Sequence, residues 1–497
     1  MALIAAGGSA CADATSYAPN EVTVTWSKLI RESDTTPTLQ VVVNPLLRPE
    51  SPISHRANLA LHRLGANYVR FVPWLPYPQL AVAELYPPAN GKTSWNFKLI
   101  DPMVNDFMKA TAGHSVIMNF STIPEWMFVT PSTVTWPTDP NQVDWSYEQG
   151  TTLRDTSLKT VADYYARLVS WYTKGGLKDE YGVWHNSGHH YHFAWWEVLN
   201  EVDSEHQMSV QDYSKWYDAI TNAIHKVSPS TKFVGIAFAG TSSWNPGDIE
   251  WFKYFLNHHN HRPGTPLDMI SYHFYATPPG NSTPAQWPPI FFSQADGFIS
   301  TVKQIEQVRK QLSPETKTDC DELGSILPND NDPVQIKRMI SSSMYWNLSG
   351  AMYAYIFAHL SLLGIQVTGE SQLIGYPSQF PSVSMVNWRT GVPNARFRVL
   401  ELLHQNFHAG DRIVECHVIS PGIFAQAYIT RHGEKKLLLI NEQNENTQVD
   451  VPGAKGGTEE WVDQVTAEHQ PGLRTLKHFH VTLGGLAVAV ITLKRGM

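Results

Sequence analysis

Two apolar runs of the sequence end in carboxylates that could do acid–base chemistry. They are Trp195–Glu201 and Thr318–Gly324. Burying an unpaired carboxylate is costly, so such a group is either satisfied by partners or used. Two carboxyl groups facing each other across a small cleft can cleave a glycosidic bond, because one protonates the leaving oxygen and the other attacks or stabilises the anomeric carbon. We therefore expect these two runs to face one pocket and to supply a carboxylate pair to it.

The runs that must position these carboxylates alternate with helical or loop segments, a pattern that favours a parallel sheet with crossover helices. Eight such β-rich runs predict a (β/α)8 barrel, in which active groups lie at the carboxyl ends of the strands. The runs are Leu39–Asn44, Tyr68–Trp74, Ser115–Ser121, Phe193–Glu201, Lys232–Ala239, Met269–Tyr275, Thr318–Leu323 and Ala351–Phe357.

After Arg396 the pattern changes to short alternating runs separated by turn signals, which predicts an all-β unit. The runs are Arg412–Ile419, Ile423–Thr430, Lys435–Ile440, His478–Leu483 and Leu486–Leu493. We expect an α/β fold in two domains, a catalytic TIM barrel over residues 36–395 and an accessory β-sandwich over residues 396–497. The β-rich segment near residues 15–35 is expected to join the sandwich, because chain termini often meet at the surface.

The alternation of side chains along a strand gives a separate argument about the seventh run. Glu322 shares one face with Thr318 and Cys320, whose small side chains suit the barrel interior, whereas Asp319 and Asp321 would point toward the helices. This parity favours Glu322 over Asp321, unless a bulge breaks the alternation.

Several stretches resemble motifs of clan A glycoside hydrolases, and of family 39 in particular. They are Glu197-Val198-Leu199-Asn200-Glu201, which is similar to the signature Glu-Val-Trp-Asn-Glu-Pro, Phe120–Trp126 after the third run, Asp268–Tyr275 on the sixth, and Pro381–Ser384 with Asn387–Gly391. The chain departs from the family pattern in Leu199, in Val202 and in the lack of a Thr-Glu pair at Glu322. These departures concern substrate identity more than mechanism.

The resemblance implies a retaining glycoside hydrolase with a role for each matching residue. Glu201 would be the general acid/base and Glu322 the nucleophile, and Arg70 would keep Glu322 ionised. Asn200 would bind the sugar 2-hydroxyl. Further sugar contacts would come from His273, Tyr275, Trp126 and Tyr355. Xylosides, iduronides, galactosides and arabinosides are the candidate substrates, and the choice among them stays open, as does exo or endo action.

Composition excludes other partners. Lys and Arg number 37 and Asp and Glu 45, so the formal charge is −8, which does not suit a nucleic acid. The chain has no uninterrupted apolar stretch near the ~20 residues of a membrane helix. We expect a carbohydrate substrate and no cofactor. Oligomeric state stays open.

A histidine cluster suggests a metal only superficially. His185, His189, His190 and His192 match no His-Glu-x-x-His spacing and have no cysteine beside them, so we expect no metal. Cys11, Cys320 and Cys416 are too few for a disulfide framework.

Two other functions remain alternatives: a catalytically inactive carbohydrate-binding protein on the same fold, and a barrel enzyme of unrelated chemistry. The latter would require a strand-end lysine or a metal cage. The segment Met1–Ala12 has small and apolar residues with a signal-like ending but no basic start, and we expect a weak secretory signal.

Overall fold

Strands and helices alternate along most of the chain in the computed structural model, which describes residues 20–148, 150–340 and 342–494. The strands are β1 (Val22–Glu32), β2 (Thr36–Val42), β3 (Val69–Val72), β4 (Val116–Met118), β5 (Gly176–Lys178), β6 (Trp184–Asn186), β7 (Trp195–Glu197), β8 (Lys232–Phe238), β9 (Met269–Ala276), β10 (Lys317–Ser325), β11 (Val367–Glu370), β12 (Arg412–Val418), β13 (Ile423–Ile429), β14 (Lys435–Asn441), β15 (Thr447–Asp450), β16 (Thr458–Val462), β17 (Gly472–Thr475), β18 (His480–Leu483) and β19 (Val488–Thr492). The helices are α1 (Ser54–Leu64), α2 (Pro78–Ala81), α3 (Asp101–Ala110), α4 (Lys159–Thr173), α5 (Val210–Val227), α6 (Ile249–Phe255), α7 (Trp287–Leu312), α8 (Pro333–Ile340), α9 (Ser343–Leu363) and α10 (Ala395–Asn406).

Eight parallel strands close into a barrel in the order β2-β3-β4-β7-β8-β9-β10-β11, and β11 pairs with β2. The predicted fold class is confirmed. Seven of the eight runs overlap barrel strands. Because all strands are parallel, their carboxyl ends meet at one end of the barrel, where Glu201 and Glu322 lie.

The eighth predicted strand is wrong. Ala351–Phe357 lies in the middle of α9, and the eighth barrel strand is β11. Most faces of α9 are buried, because the helix contacts α7 and β10 as well as β14 and β19 of a second sheet. A helix that is apolar all round has no 3.6-residue periodicity in its sequence, so its apolar run resembles a buried strand.

The second sheet is antiparallel and contains seven strands in the order β1-β12-β13-β14-β19-β16-β17, beside a two-stranded sheet of β15 and β18. The segment before the barrel supplies β1, which pairs with β12. The predicted domain boundary at residue 396 falls in the first turn of α10, which contacts α9 and β2 as well as β16. The exact division into domains stays a prediction.

The structure also bears on membrane-spanning segments and on the cysteines. No helix within the described residues has both the length and the hydrophobicity that a membrane crossing requires. Cys320 is buried and Cys416 partly buried, each as a free thiol, while Cys11 and the signal-like segment Met1–Ala12 lie outside the described residues.

An ion pair fastens α10 to the end of β11. The fully buried Arg396 donates from Nε to Glu370 Oε1 at 2.8 Å and from its Nη atoms to the backbone oxygens of Ser371 and Val383. Burial raises the pKa of Glu370 to about 7, although Arg396 opposes the rise. The pair therefore holds a helix on the strand that closes the barrel.

We expect Arg396→Met to lower the free energy of unfolding by about 3–5 kcal/mol, because Glu370 and two carbonyl groups would stay buried without their partner. Lys215→Met is the matched control, since Lys215 and its partner Asp212 are exposed and a surface pair contributes up to about 1 kcal/mol. Denaturant unfolding followed by tryptophan fluorescence measures both. Equal losses in the two variants would contradict the structural role of Arg396.

Candidate active site

Two carboxyl groups and an imidazole meet at the carboxyl end of the barrel. Glu201 follows β7, His273 lies on β9 and Glu322 on β10. One oxygen of each carboxyl group and one nitrogen of His273 all lie within 4.8 Å of one another. His273 Nδ1 is 2.8 Å from Glu201 Oε1 and 3.5 Å from Glu322 Oε2. The structure thus brings together the two carboxylates that the sequence placed on different strands.

Arg70 is the central cation of the site. This fully buried side chain on β3 donates to Glu322 Oε1 at 2.6 Å and to Glu197 Oε2 at 2.5 Å. It also donates to Asn200 Oδ1 at 2.6 Å and to Gln40 Oε1 at 2.7 Å. One guanidinium group therefore connects four barrel strands or their ends, and each contact is a hydrogen bond with fixed geometry.

The environment of Glu322 favours its ionised form. Burial alone raises the pKa of this carboxyl group, but the positive charges of His273 and Arg70, together with hydrogen bonds from Tyr275 and Arg70, lower it below its usual value. Tyr275 donates from its hydroxyl to Glu322 Oε2 at 2.7 Å, and that hydroxyl also lies 2.6 Å from Ser371 Oγ. Glu322 is therefore held as an anion by three side chains.

Glu201 has a different environment. Its side chain is 24% exposed, compared with 10% for Glu322, and its Oε1 contacts His273. Burial lowers the pKa of His273. The negative charges of Glu322 and Glu201 and the hydrogen bond to Glu201 outweigh this effect, so the pKa of His273 lies above its usual value. The surroundings therefore favour the protonated form of the imidazole, which lies between the two carboxyl groups.

The turn that presents Glu201 is strained. Leu199 has a φ of 64° and Glu201 a φ of 41°, in the left-handed region that costs a non-glycine residue roughly 1–3 kcal/mol. Asn119 Nδ2 holds the turn by donating to Leu199 O at 2.9 Å, and the backbone nitrogen of Glu205 donates to Glu201 O at 2.7 Å. Strand β7 ends at Glu197, so the side chain of Glu201 is positioned by this turn and not by strand alternation.

A bulge in β10 positions Glu322. The argument from strand alternation favoured Glu322, but it was wrong in placing Thr318 inside the barrel and Asp321 outside. Thr318 Oγ1 donates to Glu306 on α7, so Thr318 faces a helix, whereas Asp321 Oδ2 lies 3.1 Å from Arg70 Nε inside the barrel. In the pairing of β10 with β9, three steps from Asp319 to Glu322 match two steps on β9. The extra residue turns Glu322 inward as well, so two consecutive carboxyl groups face the interior.

Asp319 and Asp321 are fully buried near Arg70, in surroundings that disfavour an ionised carboxyl group. Burial, and then the charge of Glu197, raises the pKa of each well above its usual value, although Arg70 opposes the rise. Burial thus favours the neutral forms of Asp319 and Asp321, while Arg70 donates hydrogen bonds to Glu197 and Glu322.

Sequence reasoning missed a third carboxyl group in the cleft. Glu205 Oε1 accepts hydrogen bonds from Trp74 Nε1 at 2.7 Å and from Asn200 Nδ2 at 2.9 Å. Burial and the nearby charge of Glu201 raise the pKa of Glu205 well above its usual value, against those two hydrogen bonds. Trp74 is the last residue of the second predicted strand, so its indole N–H could have been recognised from the sequence as a polar group at a strand end. The turn that carries Glu205 had no such signal.

A cavity of about 250 Å³ opens above the carboxyl pair. Trp74, Trp145 and Phe380 form an aromatic wall, with ring centroids 5.4–6.4 Å apart. The cavity is lined by Gln40, Val42, Val72, Trp74, Trp145, Asn200, Glu201, Glu205, Tyr275, Glu322, Ile326, Gln372, Phe380 and Val383. Its size and its mixture of rings and polar groups suit one small polar ring.

Two predicted contacts lie elsewhere. Tyr355 as a sugar contact is wrong, because it lies on α9, where its hydroxyl donates to Asp296 Oδ1 at 2.7 Å and its ring packs on Phe424 of β13. The error follows from treating this helix as a strand. Trp126 lies in a short 3-10 turn after β4 and lines a neighbouring groove instead of the cavity.

Within the described residues, Glu201, His273 and Glu322 are also the group with the spacing of a metal site. A histidine ligand must be neutral, whereas the raised pKa of His273 favours the protonated imidazole, and Glu322 already accepts hydrogen bonds from Arg70 and Tyr275. These residues suit an ion-pair network better than a bound cation. Within the histidine cluster, His185 and His189 contact Asp179 and Asp101.

Solved structures that share this architecture include two glycosidases and an exported protein. The α-L-arabinofuranosidase of Thermotoga maritima superposes with a TM-score of 0.61 at 12% identity, over 95% of this chain and 99% of that one. A GH30 endoxylanase of Clostridium papyrosolvens C71 gives 0.54 at 12%, over 95% and 100%. A conserved exported protein of Bacteroides fragilis gives 0.61 at 11%, over 95% and 100%. At these identities the likeness establishes the fold class.

The family model for glycosyl hydrolases family 39 matches residues 40–335, which is more than half of the chain. The comparison of this chain with curated protein sequences found no match. The chain belongs to family 39 of the glycosyl hydrolases, as the sequence motifs predicted, and is a glycoside hydrolase.

We expect Tyr275→Phe to move the acidic limb of the pH profile of kcat/KM to higher pH. The hydrogen bond to the ionised Glu322 lowers its pKa, so its loss raises that pKa and protonates Glu322 at a less acid pH. The profile is measured with an aryl glycoside substrate. Tyr355→Phe is the matched control and should leave the limb in place; an unchanged limb in Tyr275→Phe would contradict the assignment.

Proposed function

We propose that the protein is a retaining glycoside hydrolase in which Glu322 is the nucleophile and Glu201 the general acid/base. The observation that carries the proposal is the approach of one oxygen of each carboxyl group to within 4.8 Å of the other. Retaining enzymes hold their carboxyl groups about 5–5.5 Å apart, whereas inverting enzymes need about 6.5–9.5 Å to admit a water molecule. The short gap supports direct attack by a carboxylate.

The two environments support the division of roles. Glu322 is ionised by Arg70, His273 and Tyr275, as a nucleophile must be. Glu201 is the more exposed and borders the cavity, where it can exchange protons with a leaving group and with water. Its Oε1 lies 2.8 Å from His273 Nδ1, which places a second group able to hold a proton beside it.

The reaction then has two steps. Glu322 attacks the anomeric carbon as the glycosidic bond breaks, and the proton of Glu201 goes to the leaving oxygen. In the second step, Glu201 takes a proton from water, the resulting hydroxide attacks the anomeric carbon, and the bond to Glu322 breaks. Configuration is inverted twice and so retained.

Asn200 is proposed to bind the sugar hydroxyl next to the anomeric carbon. Both ends of its amide group are fixed, Oδ1 by Arg70 and Nδ2 by Glu205. An amide held in this way presents its remaining N–H to the cavity without an entropic cost at the time of reaction. His273 and Tyr275 are proposed to line the same subsite through their contacts with the carboxyl pair.

We propose that the sugar is neutral. Glu201, Glu205 and Glu322 line the cavity, and none of its described lining residues is a lysine or an arginine. Arg70 lies behind Glu322, fully buried and engaged by four hydrogen-bond acceptors. A uronic acid would bring its carboxylate among these acidic groups with no free cation to meet it.

Secretion is part of the proposal. Its support is the signal-like character of Met1–Ala12, which lies outside the described residues, and the fold shared with an exported protein.

Glu322→Ala should lose turnover, and added azide should restore it with a glycosyl azide of inverted configuration, because the small anion occupies the place of the nucleophile. In Glu201→Ala we expect kcat/KM to fall about 10²–10⁴-fold for poor leaving groups, with azide giving a product of retained configuration. NMR of the products reads the configuration. Glu250→Ala, at an exposed position, is the control, and wild-type turnover in both active-site variants would refute the roles.

A screen of aryl glycosides tests the substrate class. We expect the best neutral substrate among xylosides, arabinosides, galactosides and glucosides to exceed any uronide by about 100-fold in kcat/KM, because juxtaposed like charges cost several kcal/mol. Aryl glucoside and aryl glucuronide form a matched pair that differs only in the carboxylate. Faster hydrolysis of iduronides or glucuronides would contradict a neutral substrate.

A further inference from the structure

A groove of about 1110 Å³ lies beside the catalytic cavity. One wall is the segment after β3, with Gln79 and Tyr86, and the other is the segment after β4, with Trp126 and Trp136. Both segments start at the carboxyl ends of barrel strands, so the groove lies at the same end of the barrel as the carboxyl pair. It is much larger than the cavity that holds the pair.

Aromatic rings are displayed in this groove. Tyr86 is 62% exposed, and its ring centroid lies 5.0 Å from that of Trp136. Trp136 packs edge-on against the buried Tyr147 at 6.0 Å, and Trp126 Nε1 donates to Glu84 O at 2.9 Å. The ring positions are thus set by the surrounding structure, while the ring of Tyr86 is open to solvent in the groove.

The groove is held in shape and is nearly neutral. Gln79 Nε2 crosses between the walls and donates to Pro137 O at 2.6 Å and to Thr138 O at 3.1 Å. The described lining of the groove contains one carboxylate, Glu125, and one guanidinium group, Arg154. The segment 130–138 adds several hydroxyl side chains. Flat apolar ring faces among hydroxyl groups, with balanced charge, match the C–H faces and hydroxyls of a neutral sugar chain.

The two walls also reach the catalytic cavity. Trp74, at the start of one wall segment, and Trp145, beyond the end of the other, contact each other at the cavity with ring centroids 5.4 Å apart. Close to these two residues in the chain, Asp144 N donates to Pro76 O at 2.8 Å and ties the two segments together. A chain bound in the groove would therefore lie on the same two segments that enclose the reacting sugar.

We propose that this groove is a second carbohydrate-binding site, in which Tyr86, Trp126 and Trp136 bind a stretch of a neutral polysaccharide. This site goes beyond the cleavage reaction, since neither member of the carboxyl pair is among its lining residues. It also gives Trp126 a sugar contact outside the catalytic cavity.

Affinity electrophoresis through gels containing soluble arabinoxylan, arabinan or galactan tests the groove. The parent protein carries Glu322→Ala so that the polysaccharide stays intact. At least one of the three polymers should retard it, and adding Tyr86→Ala or Trp136→Ala should weaken that binding about tenfold, the effect of losing one sugar–aromatic contact. Tyr181→Ala is the matched control, because Tyr181 is 46% exposed in the β5–β6 turn and is not among the residues that line the groove.

Retardation that depends on Tyr86 and Trp136 but not on Tyr181 supports the site. If none of the polymers retards the parent, or if all variants bind alike, the groove is not a carbohydrate site. Hydrolysis of aryl glycosides by the wild-type protein is scored separately, so the two proposals fail separately. A protein that binds polysaccharide through Tyr86 but cleaves no aryl glycoside would support the groove and overturn the proposed reaction.

Discussion

The buried charge of Arg70 is the interaction on which the catalytic end of the barrel depends. A guanidinium group without water must be met by acceptors on all sides, and here they come from β2, β7, the turn after β7, and β10. The same contacts that satisfy Arg70 place Asn200 and Glu322 at fixed distances. Burial raises the pKa of Asp319 and of Asp321, so their environments favour the neutral forms. The hydrogen bonds that satisfy the charge of Arg70 therefore also fix the geometry of the site.

Much of the barrel could be predicted from the sequence, because buried parallel strands are short apolar runs that end in polar groups. Seven runs carried that signal. The eighth did not, because α9 is buried on most sides and its composition resembles a strand, whereas the true strand β11 is four residues long with a glycine and a glutamate. Tyr355 was misplaced for the same reason.

The site could be predicted in its residues more than in its geometry. Glu201 and Glu322 followed from carboxylates at strand ends and from the family motifs, yet neither is positioned by regular alternation. A left-handed turn presents the first and a bulge the second. The turn and the bulge depend on hydrogen bonds between the backbone and neighbouring strands. They leave no periodic pattern in the sequence from which they could be predicted. Glu205 and the aromatic wall of Trp74, Trp145 and Phe380 come from separate loops that meet only in the folded chain.

The pairing of β1 with β12 has a consequence for biosynthesis. Val22 and Val418 are partners in one ladder, with the whole barrel encoded between them. During translation β1 emerges first and has no strand to pair with until nearly four hundred further residues have been made, so its exposed edge must wait in an unfinished chain. This ladder can therefore close only after the whole barrel sequence has been synthesised, so its pairing comes late in the making of the chain.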